Sequence, residues 1–309
     1  MAAMQRRRGP NAVGFWGLLQ PLADGLKLMA KEGINPWLSV TEVYRAAPIL
    51  CLIPSFLSWV LLPLYPDSIN YPDSDISFLM FTAITTIGSF GVILAGWGSF
   101  SRYAMMGALR AIAQLISYEV VFLLTVSPIA IYTSSFSFFS IVENQINGYW
   151  NFFLLMPSAI IFFILILAET NRTPFDLPEA EAELVSGFNV EYSSIFFAMF
   201  FLAEYNNILL MSTLYTILFL GGWSLGFMLF IFKIILVAYF IIMVRAALPR
   251  YRYDQLMFLC WRVFLPLILG LILFYLGVAN YFGIYALNEV FLFNEVHKID
   301  LAFHATYFS

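Results

Sequence analysis

Residues 151–192 read NFFLLMPSAIIFFILILAETNRTPFDLPEAEAELVSGFNVEY, and they join two very different kinds of sequence. The first part, residues 151–169, is almost wholly apolar and is long enough to cross roughly 30 Å of hydrocarbon as a helix. The part that follows, residues 168–192, carries six carboxylates and one base: Glu169, Asp176, Glu179, Glu181, Glu183, Glu191 and Arg172. The stretch therefore predicts a membrane-spanning helix followed by an acidic loop at the membrane surface.

The whole chain has the composition of a membrane protein. Of its 309 residues 61% are hydrophobic and 11% are charged, whereas about a quarter of the residues of a soluble domain are charged. Apolar runs predict seven spans, at about 43–64, 77–100, 108–132, 151–169, 193–220, 225–248 and 259–281. Because these runs are continuous rather than alternating, they indicate helices and not a β-barrel. The predicted fold is an all-α transmembrane bundle forming one membrane domain over residues 1–282, with a C-terminal extension at 283–309.

The basic residues predict how the bundle is oriented. Thirteen of the 15 Lys and Arg fall on one set of faces: Arg6, Arg7, Arg8, Lys27, Lys31, Arg45, Arg102, Arg110, Arg172, Arg245, Arg250, Arg252 and Arg262. The opposite faces hold only Lys298, and Lys233 lies within a span. Since basic loops stay on the side from which insertion begins, the N-terminus is predicted on the matrix or cytoplasmic side.

Residues 14–33, before the first span, have the periodicity of an amphipathic helix. The apolar direction is formed by Phe15, Leu18, Leu22, Leu26 and Met29, and the opposite direction by Asp24, Lys27 and Lys31. Such a helix lies in the membrane interface. Two interpretations remain open: a plain surface anchor, or the wall of a cleft in which Asp24 and Lys27 face something polar.

Three acids fall inside predicted spans. Glu119 and Glu204 lie near the centres of their spans, and Glu169 lies close to an inner end. An ionised carboxylate in hydrocarbon costs at least about 2.5–3.5 kcal/mol, so each must face protein or water. Proton transfer is the function that such acids indicate, and a hydrogen-bonded structural acid is the alternative. Lys233 is a candidate partner for them.

The acidic loop also has a pattern of its own. If it is helical, Glu179 and Glu183 share a face and Glu181 is turned away. Crowded carboxylates hinder one another's ionisation, so they exchange protons near neutral pH. Residues with groups that favour burial are interleaved with the acids: Thr173, Pro174, Phe175, Leu177, Pro178, Leu184, Val185 and Phe188. This favours a loop that packs under a partner over a loop that is simply solvated.

Redox cofactors have no predicted ligands in this chain. Cys51 and Cys260 are isolated from each other, and His297 and His304 lie in the tail. The glycines of IGSFGVILAGWGSF, residues 87–100, indicate close helix packing rather than a phosphate loop. We therefore expect no metal site, no catalytic residue and no nucleic-acid partner, and any redox cofactor must be held by other chains.

Five stretches in order resemble one family. They are RRGPNAVGFWGLLQPLADGLKLMAKE at 7–32, GALRAIAQLISYEV at 107–120, AETNRTPFDLPEAEAELVSGFNVEY at 168–192, FFLAEYNNI at 200–208 and PRYRYDQLM at 249–257. The chain resembles the NADH dehydrogenase subunit 1 family, the membrane subunit of respiratory complex I at the junction with its hydrophilic arm. The 25-residue acidic loop is the most specific of these matches.

The resemblance implies a core subunit of a proton-pumping NADH:ubiquinone oxidoreductase. Ubiquinone would be the substrate, while NADH, FMN and the iron–sulfur clusters would be held by other subunits. The quinone chamber or its entrance would involve Asp24, Lys27, Arg7, Arg252 and Asp254. The proton or coupling path would follow Glu119, Glu169, Arg172, Asp176, Glu179, Glu181, Glu183, Glu191 and Glu204. Expected partners are the hydrophilic subunits at the quinone site, including the carrier of the terminal iron–sulfur cluster, adjacent small membrane subunits, and lipids.

Two features depart from the family pattern. The family has eight spans, the first ending in a Glu-Arg-Lys stretch, so we expect a separate chain to supply a helix that this chain lacks. Residues from about 282 onward run past the family's usual end, and their apolar residues suggest docking to an extra subunit. The excess of Phe, Ile, Tyr and Asn suits an AT-rich organellar genome, which favours an organelle-encoded, multi-pass protein of the mitochondrial inner membrane.

Three rival functions are open to a chain of this kind. The nearest is the equivalent subunit of a membrane-bound hydrogenase-type complex, against which the retained acidic loop and the segment around Asp24 argue. A transporter usually shows inverted repeats, and none is visible here. A purely structural scaffold would leave the three membrane acids without a purpose.

Overall fold

The computed structural model describes residue 2 and residues 4–65, 75–176 and 187–282. Within these ranges the regular structure is entirely helical: α1 (Gln20–Ala30), α2 (Thr41–Val60), α3 (Ser77–Gly98), α4 (Arg102–Thr133), α5 (Phe138–Asn147), α6 (Asn151–Leu154), α7 (Met156–Glu169), α8 (Ser194–Phe219), α9 (Phe227–Ala247), α10 (Tyr253–Phe258) and α11 (Leu265–Phe282). A π-helical turn, Leu259–Phe264, joins the last two into one continuous apolar helix. The predicted all-α membrane bundle is confirmed. The predictions for Glu179, Glu181, Glu183 and the tail from 283 onward lie outside the described residues.

Six of the seven predicted spans are helices long and apolar enough to cross a membrane: α2, α3, α4, α8, α9 and Tyr253–Tyr281. The seventh, predicted over 151–169, is divided at Leu155, where the backbone leaves the helical region. Pro157 explains the break, because a proline inside a helix lacks the amide hydrogen and crowds the preceding turn. The remaining apolar helix, α7, has 14 residues and is therefore only about 21 Å long.

Helix α4 forms the centre of the bundle. In its most apolar window 56% of the residues are buried, against 22–33% in the other spans of the described chain. It contacts α3, α7 and α11 and the short 3-10 turn Gly187–Asn189. Small residues permit the close approach, since a Cβ at Gly96 would lie 2.4 Å from the Cβ of Ala108. The glycines of the 87–100 stretch therefore serve helix packing, as predicted.

The amphipathic helix is present but is shorter than predicted. Gly14, Trp16 and Gly17 have positive φ angles, which interrupts the helix and leaves α1 to begin at Gln20. The predicted apolar direction is open to the surroundings, with exposed fractions of 66–81% at Phe15, Leu18, Leu22, Leu26 and Met29. The exposed face is what an interfacial helix requires.

Two serines attach α1 to α8. The Ser194 Oγ donates to the carbonyl oxygens of Leu28, at 3.2 Å, and Lys31, at 2.5 Å. The Ser193 Oγ accepts a hydrogen bond from the amide of Ile34 at 3.1 Å. These bonds satisfy carbonyls at the end of α1 that have no partner within the helix. They also fix the distance between the surface helix and the span that follows the acidic loop.

Lys233 contacts the far end of α8 and not the acids. Its Nζ donates to the carbonyl oxygens of Leu220, at 2.6 Å, and Gly222, at 3.4 Å, and lies 4.4 Å from the centre of the Trp150 ring. The 16 residues between Glu204 and Leu220 on this helix correspond to about 24 Å. A cation next to the carbonyl end of a helix is favourable, so Lys233 caps α8.

Candidate functional site

A large cleft of about 1110 Å³ lies between α1 and α8. Its lining is mostly apolar: Pro10, Trp16, Gly17, Gln20, Pro21, Asp24, Gly25, Leu28, Met29, Leu52, Ile195, Ala198, Met199, Phe201, Leu202 and Tyr205. The only carboxylate among these residues is Asp24, whose Oδ1 accepts a hydrogen bond from the Gln20 amide at 3.1 Å. Helix α1 therefore walls a cleft with an apolar body and a small polar patch.

On the other side of α8 a second, polar cavity of about 70 Å³ lies within the bundle. It is lined by Cys51, Thr85, Gly88, Ser89, Val92, Leu115, Glu169, Asn171, Phe188, Phe200, Ala203, Glu204 and Asn207. A space of this size holds several water molecules, which need polar partners of this kind. The cavity thus brings together two of the predicted membrane acids, Glu169 and Glu204.

Arg172 and Glu204 form an ion pair beside this cavity. The Arg172 Nη2 lies 3.5 Å from the Glu204 Oε2, and the two side chains are 3% and 18% exposed. The guanidinium also lies over the ring of Tyr205, with its Cζ 4.8 Å from the ring centre. Arg172 is held near α8 by the turn after α7, in which Asn171 adopts a left-handed conformation that asparagine tolerates well.

That turn is fastened to the central helix by Gln114. The fully buried Gln114 amide donates to the carbonyl oxygens of Ala168 and Phe175, each at 2.9 Å, and to the Asn171 Oδ1 at 3.3 Å. The three acceptors lie before, within and after the turn. One side chain of α4 thereby positions the segment that carries Arg172.

The first part of the acidic loop is buried within the chain itself. Phe175 is 2% exposed and stacks on Tyr251, with ring centres 5.7 Å apart. The buried Asp176 pairs with Arg250, whose Nη2 lies 2.9 Å from the Asp176 Oδ2. Since a buried carboxylate needs a charged or hydrogen-bonding partner, Arg250 accounts for the position of Asp176. The interleaved apolar residues predicted burial, and for Phe175 this chain provides it.

Glu119 faces α3 from the middle of α4. The hydroxyl of Thr86 is in close contact with the Glu119 Oε1, and the same hydroxyl lies 2.7 Å from the carbonyl oxygen of Thr82. Glu119 is near enough to Glu169 for the two carboxyl groups to interact electrostatically. The third membrane acid is thus adjacent to the pair that lines the polar cavity.

The end of the acidic loop is packed against α2. The rings of Tyr44 and Tyr192 stack in parallel with centres 4.2 Å apart. The Tyr192 hydroxyl donates to the carbonyl oxygen of Tyr44 at 3.2 Å, which Pro48 leaves without its helical donor. The Tyr44 hydroxyl donates to the carbonyl oxygen of Glu191 at 2.8 Å. Burial raises the pKa of Tyr192, so its hydroxyl keeps the proton that it donates.

Other predicted residues lie apart from the cleft and the acids. The exposed side chains of Arg252 and Asp254 pair with each other at 3.2 Å and border a different surface, next to Arg110. Arg7 is exposed and donates to Gln5 at 2.8 Å. Lys27 is exposed on α1 and is not among the residues lining the cleft. Of the predicted quinone-chamber group, Asp24 alone lines the cleft.

Sequence reasoning missed four residues with direct contacts in the site. They are Gln114, Thr86, Tyr205 and Arg250. Three of them stand inside stretches that carry the family resemblance, so the stretches contained the signal although the individual roles did not follow from it. Thr86 lies within an apolar span, and only its contact with Glu119 reveals it.

The comparisons with known proteins agree with this geometry. The sequence pattern of the NADH dehydrogenase family matches residues 1–276. The chain belongs to this NADH dehydrogenase family. Its relatives include "NADH-ubiquinone oxidoreductase chain 1" of Arabidopsis thaliana, 48% identical over 281 residues covering 87% of this chain and 86% of the relative. The same protein of Chondrus crispus is 47% identical over 294 residues, covering 92% of this chain and 90% of the relative.

A bacterial relative carries a corresponding name. This subunit of the NADH-quinone oxidoreductase of Rhodospirillum rubrum is 47% identical over 277 residues, covering 86% of this chain and 82% of the relative. The resemblance carried by the five stretches is thereby confirmed. This member of the NADH dehydrogenase family is a membrane subunit of the respiratory NADH:quinone oxidoreductase, complex I, and contributes to electron transport as part of that enzyme.

Proposed function

We propose that the cleft between α1 and α8 receives ubiquinone and that the buried acids beside it couple quinone reduction to proton translocation. The observation that carries this proposal is the position of α8. One side of this helix lines the cleft, through Ala198 and Leu202, and another side carries Glu204 into the polar cavity. The substrate site and the acids are therefore separated by a single helix.

The chemistry of the cleft suits a quinone. Its volume of about 1110 Å³ is at the upper end of the range of small-molecule sites, which are mostly apolar with a few polar groups. An isoprenoid tail would contact the aliphatic and aromatic walls, and a quinone carbonyl would accept a hydrogen bond from the Gln20 amide. Asp24, which holds that amide at 3.1 Å, would orient it.

The acids form a connected series away from the cleft. Glu204 is paired with Arg172 and shares the polar cavity with Glu169. Glu169 interacts electrostatically with Glu119, which is the acid nearest the centre of α4. Reduction of the quinone by two electrons consumes two protons, and the resulting change of charge acts on Arg172 and Glu204 first. Because the series is buried, this influence is stronger than it would be in water.

The contact between Thr86 and Glu119 accommodates both protonation states of the acid. The Thr86 hydroxyl has one proton and two acceptors in reach, the Glu119 carboxyl and the Thr82 carbonyl. When Glu119 is ionised, Thr86 donates to it. When Glu119 is protonated, it donates to Thr86, which then donates to Thr82. A rotation of one hydroxyl therefore follows each protonation change.

The remaining partners fit the same proposal. The electrons would come from iron–sulfur clusters in adjoining hydrophilic subunits, with FMN and NADH held further along. Glu179, Glu181 and Glu183, and with them Glu191 at the end of the loop, would extend the path toward those subunits. Arg7, Lys27, Arg252 and Asp254 lie on exposed surfaces suited to subunit contacts. Small membrane subunits, a separate chain supplying one more helix, and the lipids of the mitochondrial inner membrane complete the expected setting of an organelle-encoded subunit.

Gly25 offers a direct test of the cleft. It lines the cleft, and a Cβ built on it would have no heavy atom within 4 Å. Gly25→Phe therefore places a ring in the cleft without a clash in the bundle, and we expect the KM for a short-chain ubiquinone to rise or quinone reduction to stop. Reduction of a water-soluble acceptor by the hydrophilic subunits should stay unchanged.

Gly25→Ala is the matched control. It removes the same helical glycine and favours α1 by about 1 kcal/mol, but it fills little of the cleft. Normal quinone kinetics in an assembled Gly25→Phe complex would refute the assignment of this cleft as the quinone site.

A further inference from the structure

We propose that Tyr205 is a positioning residue that links occupancy of the cleft to the Arg172–Glu204 ion pair, an inference that rests on the proposed function of the cleft. Tyr205 follows Glu204 on α8, so the two side chains point about 100° apart around the helix. Nothing in the composition or periodicity of the sequence distinguishes Tyr205 from the other aromatic residues of the spans. Its contacts do.

Tyr205 borders two cavities at once. Its side chain lines the large cleft together with Leu202, and it lines a groove of about 440 Å³ between α8 and α9 together with Arg172 and Arg245. The ring is 54% exposed, so a molecule in the cleft can touch it directly. No other residue in the described part of the chain lines both cavities.

The opposite face of the ring holds Arg172. The guanidinium Cζ lies 4.8 Å from the ring centre, within the range in which a cation is attracted to an aromatic face. Among the described residues the Arg172 Nε has no hydrogen-bond partner although the side chain is 3% exposed. Within that part of the chain the guanidinium therefore has two attractive neighbours, Tyr205 and Glu204, which are consecutive on α8.

This arrangement makes the ion pair sensitive to the ring. The separation of 3.5 Å between Arg172 and Glu204 is longer than the roughly 2.7–2.9 Å of a close charge-assisted hydrogen bond. A small displacement of the ring therefore allows the guanidinium to approach or leave the carboxylate. Because Glu204 lines the polar cavity with Glu169, a quinone that presses on Tyr205 changes the electrostatic environment of the acids without contacting them.

The test compares variants with and without the ring in the assembled complex, reconstituted into vesicles. Tyr205→Leu and Tyr205→Met remove the ring, whereas Tyr205→Phe keeps the ring and loses only the hydroxyl. Leu202→Ala is the matched control, because Leu202 lines the same cleft on the same helix but does not contact Arg172. The measurements are kcat and KM for a short-chain ubiquinone, and the pH profile of kcat.

We expect Tyr205→Phe to keep the wild-type pH profile and the ring-less variants to shift it by about half a unit to one unit, as the loss of one cation–π contact implies. Leu202→Ala should change KM alone. If the ring-less variants also change KM alone, the positioning role of Tyr205 is wrong and the quinone cleft stands. If Leu202→Ala and the ring-less variants all keep the wild-type KM, the cleft assignment itself fails.

Arg172→Lys extends the test to the other side of the contact. It keeps the positive charge but loses the planar group that stacks on the ring, so it should shift the pH profile as the ring-less variants do. Combined with Tyr205→Leu it should add little further shift, since both changes remove the same contact. If the ring-less variants fail to assemble, a wild-type pH profile in Arg172→Lys overturns the proposal.

Discussion

Arg172 and Glu204 meet across 3.5 Å between the turn that follows α7 and the middle of α8. The arginine comes from the acidic loop at the membrane surface, and the glutamate comes from a span whose sequence is otherwise apolar. Burial of both groups means that each carries a desolvation cost that the other offsets. This pair is the point at which the surface loop and the membrane acids become one system.

A double-mutant cycle on this pair should show strong coupling. Arg172→Gln removes the cation that faces Glu204, and loss of one partner of a buried pair costs about 3–5 kcal/mol. Arg172→Gln combined with Glu204→Gln should recover part of that loss, because no buried charge then faces the missing cation. The midpoint of thermal unfolding of the purified complex measures it. Additive effects of the two changes would show that the side chains do not interact.

Gln114→Leu should loosen the turn that carries Arg172. It removes the donor to the carbonyl oxygens of Ala168 and Phe175, and each buried acceptor left without a donor costs about 1–3 kcal/mol. We expect a lower unfolding midpoint together with a lower rate of quinone reduction per assembled complex.

The matched control for that change is Gln145→Leu. Gln145 is a buried glutamine that donates to the carbonyl oxygen of Ile217 at the far end of α8, at 2.9 Å. Its loss should lower stability to a similar extent and leave the quinone kinetics of assembled complexes unchanged. Equal losses of activity in the two variants would mean that Gln114 contributes to stability alone.

Gly107→Ala should disturb the end of the acidic loop. A Cβ at Gly107 would lie 2.9 Å from the backbone of Gly187, which forces α4 and the loop apart, and overpacking of this kind costs about 1–3 kcal/mol. Gly277→Ala in α11 is the control, since a Cβ there meets nothing within 4 Å. Limited proteolysis of the loop should be faster in Gly107→Ala and unchanged in Gly277→Ala. Equal cleavage rates in both would contradict the proposed close packing.

The sequence predicted what periodicity and length determine. Six spans appear where continuous apolar runs place them, and the apolar direction of α1 consists of the expected residues. The single-helix prediction over 151–169 failed because one proline outweighed a long apolar run. Lys233 was considered as a partner of the acids, but the carbonyl end of α8 binds it instead, and helix packing rather than local sequence determines which neighbour a buried cation reaches.

Within the site, residue type predicted the acids but not their neighbours. A carboxylate in an apolar run is conspicuous because burial of a charge is costly, and so Glu119 and Glu204 stand out. Gln114 and Thr86 are uncharged, and their residue types are common in helices for reasons unrelated to function. Their roles depend on contacts between segments 33 to 61 residues apart. Such contacts follow from the packing of α4 against α3 and α7, which no local pattern encodes.

The central claim is that the membrane acids couple quinone reduction to proton movement, and the most direct measurement is the coupled quinone reductase rate of assembled complexes carrying Glu119→Gln or Glu204→Gln. Glu143→Gln, on the exposed surface of α5, is the control. We predict assembled complexes with a reduced coupled rate for both membrane acids and a normal rate for Glu143→Gln. A normal coupled rate in assembled Glu119→Gln and Glu204→Gln complexes would contradict the account.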